Sequence, residues 1–122
     1  MTVEMIFVGT ELLLGNIVNT NGQFLSEQCA AMGLPVYYQT LVGYNEERLS
    51  AVISSAFSRS DLIILCGGLG PTEDDLTKEV CARTMGIELA ENAEVRAELD
   101  AFMSRLKVTV TENNYKQAMA PR

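Results

Sequence analysis

Short apolar runs alternate with amphipathic segments along this chain. Residues 3–8 form a mainly apolar run that ends at Gly9, and residues 62–66 form a second that follows Asp61. Residues 35–42 are rich in Val, Tyr and Thr, which pack well on a pleated sheet. The pattern predicts three strands, and the unbroken apolar character of residues 62–66 predicts a central parallel strand buried on both faces.

The segments between these runs carry apolar residues at helical spacing. The first predicted helix ends at Gly33, a residue typical of the position just beyond a helix, and carries on one side Phe24, Leu25, Cys29 and Met32. The second follows Asn45, a favoured N-cap residue, and carries Leu49, Val52, Ile53, Ala56 and Phe57.

Two more helices are predicted in the second half of the chain. One begins at Thr72, which forms a capping-box pattern with Asp75, and ends at Gly86. The other begins after Asn92 and carries Val95, Leu99, Phe102, Met103 and Leu106. The polar segment from Thr109 onward predicts a loop followed by a short helical turn over residues 115–119.

Strands that alternate with helices of this length are typical of βαβ units. The predicted fold class is therefore α/β, a three-layer αβα sandwich around a mostly parallel sheet. Residues 1–122 contain no repeat, low-complexity stretch or linker, so we expect a single domain. Three strands are fewer than such sheets usually contain, and we expect the domain's last strands to lie beyond residue 122.

The composition excludes several classes of function. Nine Lys and Arg stand against 16 Asp and Glu, and a formal charge of −7 repels nucleic acids. With no histidine, and with Cys29, Cys66 and Cys81 lacking CxxC spacing, a zinc site and a His-dependent nucleophile are excluded. No apolar run approaches the ~20 residues of a membrane span, and no signal-peptide pattern opens the chain, so we expect a cytoplasmic protein.

A glycine-rich loop follows the strand at residues 62–66, where open α/β sheets bind their ligands. Successive backbone N–H groups and the start of the next helix favour an anion there. We therefore predict that a small phosphorylated ligand binds at Gly67, Gly68, Gly70 and Thr72. A tight strand-to-helix turn without a ligand is the alternative.

Three acidic residues, Glu73, Asp74 and Asp75, come directly after this loop. Each would repel a phosphate 5 Å away by roughly 3 kcal/mol at an effective dielectric of 20. Either the acids point away from the phosphate, or a divalent cation lies between the acids and the phosphate. The expected cation is Mg²⁺, with Mn²⁺ or Co²⁺ as alternatives, and it would be held by Asp74 and Asp75. The alternative is that no metal binds and that the positive end of the helix dipole stabilises these acids, with Asp75 as the capping-box acid.

The loop over residues 9–15 also leaves the carboxyl end of a strand, so it is expected beside the glycine loop. The Thr10 hydroxyl and the Glu11 carboxylate are candidates to contact a sugar or a metal. Asn19 and Asn21 add hydrogen-bonding groups, with helix capping as the alternative role. The polar residues 111–114 and Gln117 would form a pocket wall only if the tail folds back.

Four segments in order along the chain resemble the N-terminal domain of the CinA competence/damage-inducible family. They are residues 8–15 (VGTELLLG), 17–21 (IVNTN), 67–78 (GGLGPTEDDLTK) and 111–118 (TENNYKQA). The resemblance spans essentially the whole chain, and it implies the three-layer fold of the MogA/MoeA-like molybdopterin-binding superfamily. It also implies that family domains continue past residue 122, and no residue of a C-terminal nicotinamide mononucleotide deamidase domain is present.

The resemblance implies a metal-dependent ADP-ribose pyrophosphatase, which hydrolyses ADP-ribose to AMP and ribose 5-phosphate. By this resemblance the Gly67–Gly70 loop holds phosphate, Asp74 and Asp75 organise metal or water, and the pocket is lined by Thr10, Glu11, Asn19 and Asn21. The alternatives are a MogA-type enzyme of molybdenum cofactor biosynthesis and a non-catalytic nucleotide-binding module. We also expect a homo-oligomer.

Two residues depart from the pattern of the family. Leu69 stands where MogA-like enzymes usually carry Thr, and Tyr44 stands where many relatives have an acid. If that acid assists the chemistry, this chain binds its ligand without turning it over.

Overall fold

The computed structural model describes residues 1–106 and 112–121 and confirms the alternation of strands and helices. The strands are β1 (Val3–Val8), β2 (Val36–Val42), β3 (Leu62–Cys66), β4 (Leu89–Glu91) and β5 (Met119–Pro121). The helices are α1 (Thr10–Leu13), α2 (Thr20–Ala31), α3 (Glu46–Arg59), α4 (Thr77–Met85), α5 (Ala93–Arg105) and α6 (Glu112–Tyr115), followed by a 3-10 turn over Lys116–Ala118.

The main sheet has the order β2-β1-β3, and both pairings are parallel. Phe7 of β1 lies between Leu41 of β2 and Cys66 of β3, and all six residues of β1 are buried. The prediction that residues 62–66 form the central strand is wrong for the part of the chain described here, because β3 lies at the sheet's edge. The side chains of β3 pack on both faces of the sheet, although none of its five residues is fully buried. An apolar run predicts such packing on both faces, but it does not specify how many strands flank the strand.

The central strand sends alternate side chains to two cores. On one face, Ile6 and Val8 pack with Leu49 and Ile53 of α3 and with Val80 of α4. On the other face, three buried residues of β1 pack with Cys29 of α2, namely Val3, Met5 and Phe7. The sheet therefore lies between α3 and α4 on one side and α2 on the other, which confirms the three-layer arrangement.

Four of the local signals for helix ends are confirmed. Asn45 and Asn92 cap α3 and α5 by accepting the backbone N–H of Arg48 and Val95. Gly33 and Gly86 follow their helices with φ of 70° and 71°, the left-handed region that glycine adopts without strain.

Other expectations differ from the structure. The predicted apolar face of α2 is too wide, since Phe24 and Met32 are 59% and 65% exposed. A one-turn helix, α1, lies within the predicted first loop. The antiparallel pair of β4 and β5 was not predicted, because strands of three residues are too short for a periodic signal. None of the helices in the described ranges is long and apolar enough to cross a membrane.

Candidate functional site

The glycine loop fills a narrow gap between β1 and the start of α4. Gly67 and Gly68 have φ of 96° and 70°. A Cβ at Gly67 would lie 2.2 Å from the carbonyl oxygen of Val8, and one at Gly68 would lie 2.0 Å from Oγ1 of Thr77. Steric fit therefore requires glycine at both positions, whether or not a ligand binds.

The residues after the loop form a closed turn and not the first turn of a helix. The backbone N–H and the hydroxyl of Thr72 donate to Oδ2 of Asp75, at 3.1 and 2.6 Å. Helix α4 begins only at Thr77, whose N–H donates to the carbonyl of Gly68 at 3.2 Å. The prediction of a helix from Thr72 is wrong, because docking of Thr77 on the glycine loop sets where the helix starts.

Asp75 therefore acts first as a structural acceptor. The hydrogen bond from the Thr72 hydroxyl holds the pKa of this carboxyl below its ordinary value, and backbone N–H groups of Thr72 and Gly70 contribute in the same direction. The carboxylate thus occupies two of the amides for which a ligand phosphate was predicted. Binding of a ligand at Gly70 and Thr72 stays a prediction.

Two loops meet at Tyr44, beside the carboxyl ends of β1 and β2. Its hydroxyl donates to Oε1 of Glu11 at 3.2 Å, and its backbone N–H donates to Oγ1 of Thr10 at 3.3 Å. Burial raises the pKa of Tyr44, and the negative charges of Glu11, Asp75 and Asp74 raise it further. The acids of the first loop and of the turn after the glycine loop therefore all raise the pKa of one phenol.

A cavity of about 160 Å³ opens at this edge of the sheet. Its polar lining comes from Glu11, Asn19, Thr20, Asn21 and Cys66, and Gly67 lines it as well. Asn21 donates to Sγ of Cys66 at 3.4 Å, whereas Asn19 caps α2 by accepting the N–H of Gly22 at 3.1 Å. The capping role is confirmed for Asn19. Cys66 is half-buried and lines the cavity.

The other predicted site residues lie outside this cavity. Thr10 supports Tyr44 from the adjoining loop, and Gly68 packs on Thr77. The remaining ones belong to the acidic turn that follows, namely Gly70, Thr72, Asp74 and Asp75. The structure therefore brings Glu11, Asn19, Asn21 and Gly67 together and holds the acidic turn close by.

The structure adds Lys116 to the candidate site. Its ammonium donates to the carbonyl of Thr72 at 2.6 Å and to that of Asp75. The tail does fold back, although Gln117 lies in a groove against Leu99 and Phe102 of α5, and Thr111 lies outside the described residues. A single lysine in a polar segment resembles any surface lysine, so only the motif containing it could have drawn attention to it.

The predicted divalent cation stays a prediction. No group of three or more Asp, Glu or Cys side chains within residues 1–106 and 112–121 is placed to hold a metal ion. Oδ2 of Asp75 already accepts two hydrogen bonds from Thr72. Magnesium bound to protein needs at least a carboxylate with a free oxygen, and among the predicted pair Asp74 is the better candidate.

Comparison with known proteins gives consistent matches. Residues 4–121 match a family described as "Probable molybdopterin binding domain". The chain is 53% identical over 121 residues to a "Putative competence-damage inducible protein" of Thermoanaerobacter sp. (strain X514), and 56% identical over 119 residues to one of Streptococcus equi subsp. zooepidemicus (strain H70). These alignments cover 99% and 97% of this chain but 29% and 28% of the relatives, so the chain spans under a third of their length.

Solved structures show the same similarity. CinA of Thermoplasma acidophilum, described as a protein of unknown function, matches with a TM-score of 0.86 and 31% identity over 99% of this chain and 71% of that one. The molybdopterin biosynthesis enzyme MoaB of Thermus thermophilus matches with 0.64 and 22%, over 99% and 74%. MogA matches with 0.59 and 16%, over 84% and 66%. The last two similarities concern the fold alone.

Proposed function

Because the chain belongs to the CinA N-terminal domains of the molybdopterin-binding family, we propose that it binds a small phosphorylated pterin of the molybdopterin type. The proposed site is the cavity at the carboxyl edge of the main sheet. This is where open α/β sheets bind their ligands.

The observation that carries this proposal is the convergence of Glu11, Asn19, Asn21 and Gly67 on one cavity. A carboxylate and two amides offer acceptors and donors that match the polar edge of a pterin ring. Ile17 and Val18 supply apolar walls for the ring faces. The volume of about 160 Å³ is below the range of drug-sized ligand pockets, which suits one ring system with the rest of the ligand outside.

The phosphate end of such a ligand is favoured by the start of α4. No side chain caps this helix, so N–H groups of its first turn and the positive end of its dipole favour an anion. The Thr77 hydroxyl is fully buried and has no hydrogen-bond partner among the described residues. Both features lie beside Gly68, next to the cavity border at Gly67.

Fluorescence titration with 6-hydroxymethylpterin phosphate tests the proposal. We expect saturable binding, and we expect Asn21→Ala to weaken it by about fivefold, the loss of one hydrogen bond. Asn16→Ala is the matched control, because Asn16 is an exposed residue of the same loop and does not line the cavity. Absence of saturable binding to the wild-type chain would refute the proposal.

Hydrolysis of ADP-ribose is the second candidate. The observation in its favour is that the negative charges of Glu11, Asp74 and Asp75 all raise the pKa of Tyr44, whose hydroxyl donates to Glu11. Incubation with ADP-ribose and Mg²⁺ or Co²⁺, with AMP as the measured product, tests it. We expect Asp74→Asn to abolish release if the activity is present. Tight binding of ADP-ribose without release of AMP would favour the non-catalytic nucleotide-binding module. The homo-oligomer expected from the sequence stays a prediction.

A further inference from the structure

Lys116 reaches the acidic turn from a distant part of the chain. Its ammonium donates to the carbonyl oxygens of Thr72 and Asp75, residues that precede it by 44 and 41 positions. A lysine ammonium has three N–H donors. These two bonds hold the charge against the backbone of the turn that carries Glu73, Asp74 and Asp75.

A second lysine lies in the same place. Nζ of Lys78, in the first turn of α4, donates to the carbonyl of Lys116 at 3.0 Å. Desolvation lowers the pKa of Lys78, the negative charge of Glu79 raises it, and the nearby ammonium of Lys116 lowers it. Two ammonium groups therefore lie at the start of α4 with the acids of the turn and with Glu79 of the first helical turn, although the sequence separates Lys116 from them widely.

This arrangement bears on the repulsion that led to the expectation of a divalent metal. At equal distance and equal effective dielectric, an ammonium attracts a phosphate as strongly as one carboxylate repels it. Asp75, moreover, has its carboxylate turned onto Thr72 and the amide of Gly70, and the charge of Lys116 contributes to lowering its pKa.

We propose that Lys116 is the resident cation of this site, so that the phosphate of the ligand binds at the glycine loop without a divalent metal. The inference rests on the proposed function, since it concerns the phosphate of the same ligand. It assigns to Lys116 the role that the sequence suggested for Mg²⁺ held by Asp74 and Asp75.

A purely structural role for Lys116 gives a different expectation. If the residue only ties the tail to the turn, its loss weakens binding of the whole ligand. If it supplies charge, its loss weakens binding of the phosphate and leaves the pterin ring unaffected. The ratio of affinities for 6-hydroxymethylpterin phosphate and 6-hydroxymethylpterin separates the two roles.

The experiment measures this ratio for the wild-type chain, Lys116→Met and Lys116→Arg, in excess EDTA and again with Mg²⁺. We expect the wild type to prefer the phosphorylated ligand about tenfold in EDTA, the effect of one charge-assisted contact, and Mg²⁺ to leave this unchanged. Lys116→Met should lower the ratio about fivefold, with the remainder due to the N–H groups at the start of α4, and Lys116→Arg should retain most of it. Arg105→Gln, which removes the same charge from an exposed site, is the control.

Three results would overturn the inference. One is a wild-type phosphate preference that disappears in EDTA and returns with Mg²⁺, and this test stands even if Lys116→Met does not fold. Another is an equal loss of affinity for both ligands in Lys116→Met, which would show a structural role. Both leave the proposed function intact, whereas failure of the wild type to bind either ligand overturns the two proposals together.

Discussion

The guanidinium of Arg59 and the carboxylate of Glu4 form a two-point ion pair in this fold. Nε of Arg59 lies 3.0 Å from Oε1, and Nη2 lies 2.6 Å from Oε2. The Glu4 side chain is wholly buried in the central strand, and the hydroxyl of Ser60 also donates to it, at 2.8 Å. The pair therefore fastens the end of α3 to β1, with Arg59 stacked 3.7 Å above the ring of Tyr38.

Removing the cation from this pair should be costly. We expect Arg59→Met to lower the free energy of unfolding by about 3 kcal/mol, because it leaves a buried carboxylate without its countercharge. Urea denaturation measures the change. Arg83→Met breaks the exposed pair with Glu46 and should cost less than about 1 kcal/mol. Equal losses in the two variants would contradict the role assigned to Glu4.

Acid should destabilise the fold. The hydrogen bond from Arg59 lowers the pKa of Glu4 from 4.5, and the Thr72 hydroxyl lowers that of Asp75 from 3.8. A lowered folded-state pKa stabilises the protein above the ordinary value, and this stability is lost as the pH falls through the folded-state value. Urea midpoints should therefore drop below about pH 4.5. Glu4→Gln should show a shallower drop, and an unchanged slope would count against this assignment.

The glycine loop should not tolerate a side chain at Gly67. We expect Gly67→Ala to cost about 3 to 5 kcal/mol, because the methyl group would meet the Val8 carbonyl and the backbone has a positive φ. Gly33→Ala also has a positive φ but meets nothing within 4 Å, so it should cost only about 1 to 2 kcal/mol. Thermal unfolding compares them, and similar losses would show that contact with Val8 is unimportant.

The phenol of Tyr44 should position Glu11 for the ligand. Tyr44→Phe removes the donor 3.2 Å from Oε1 of Glu11, and we expect pterin affinity to fall about threefold to tenfold. Stability should change by less than about 1 kcal/mol, because the site is only half-buried. Tyr37→Phe alters an exposed phenol on β2 and serves as the control. Unchanged affinity in Tyr44→Phe would mean that Glu11 needs no such support.

Part of the candidate site was predictable from the sequence. Glu11, Asn21 and Gly67 follow strands or open a helix, and parallel strands bring such positions to one edge. The hydrogen bond between Tyr44 and Glu11 was not predictable, because it depends on how the loops after β1 and β2 pack against each other. The burial of Glu4 was not predictable either. Its charge interrupts an apolar strand in the sequence, and only the fold shows that Arg59 pairs with it.

The sequence alone determined the features that arise from neighbouring residues. Asn45 caps α3, Gly33 and Gly86 follow helix ends, and β1 forms where apolar residues are concentrated. Each depends on local hydrogen bonds or side-chain periodicity, so a window of a few residues contains the information.

Only the tertiary structure decided which strand is central, where α4 begins and which charge faces the acidic turn. β1 lies in the centre because both other strands pair with it. Thr77 starts α4 because it docks on Gly68, and Lys116 meets Asp75 across 41 residues. Such contacts are stabilised only when distant segments pack together, so no local pattern in the chain specifies them.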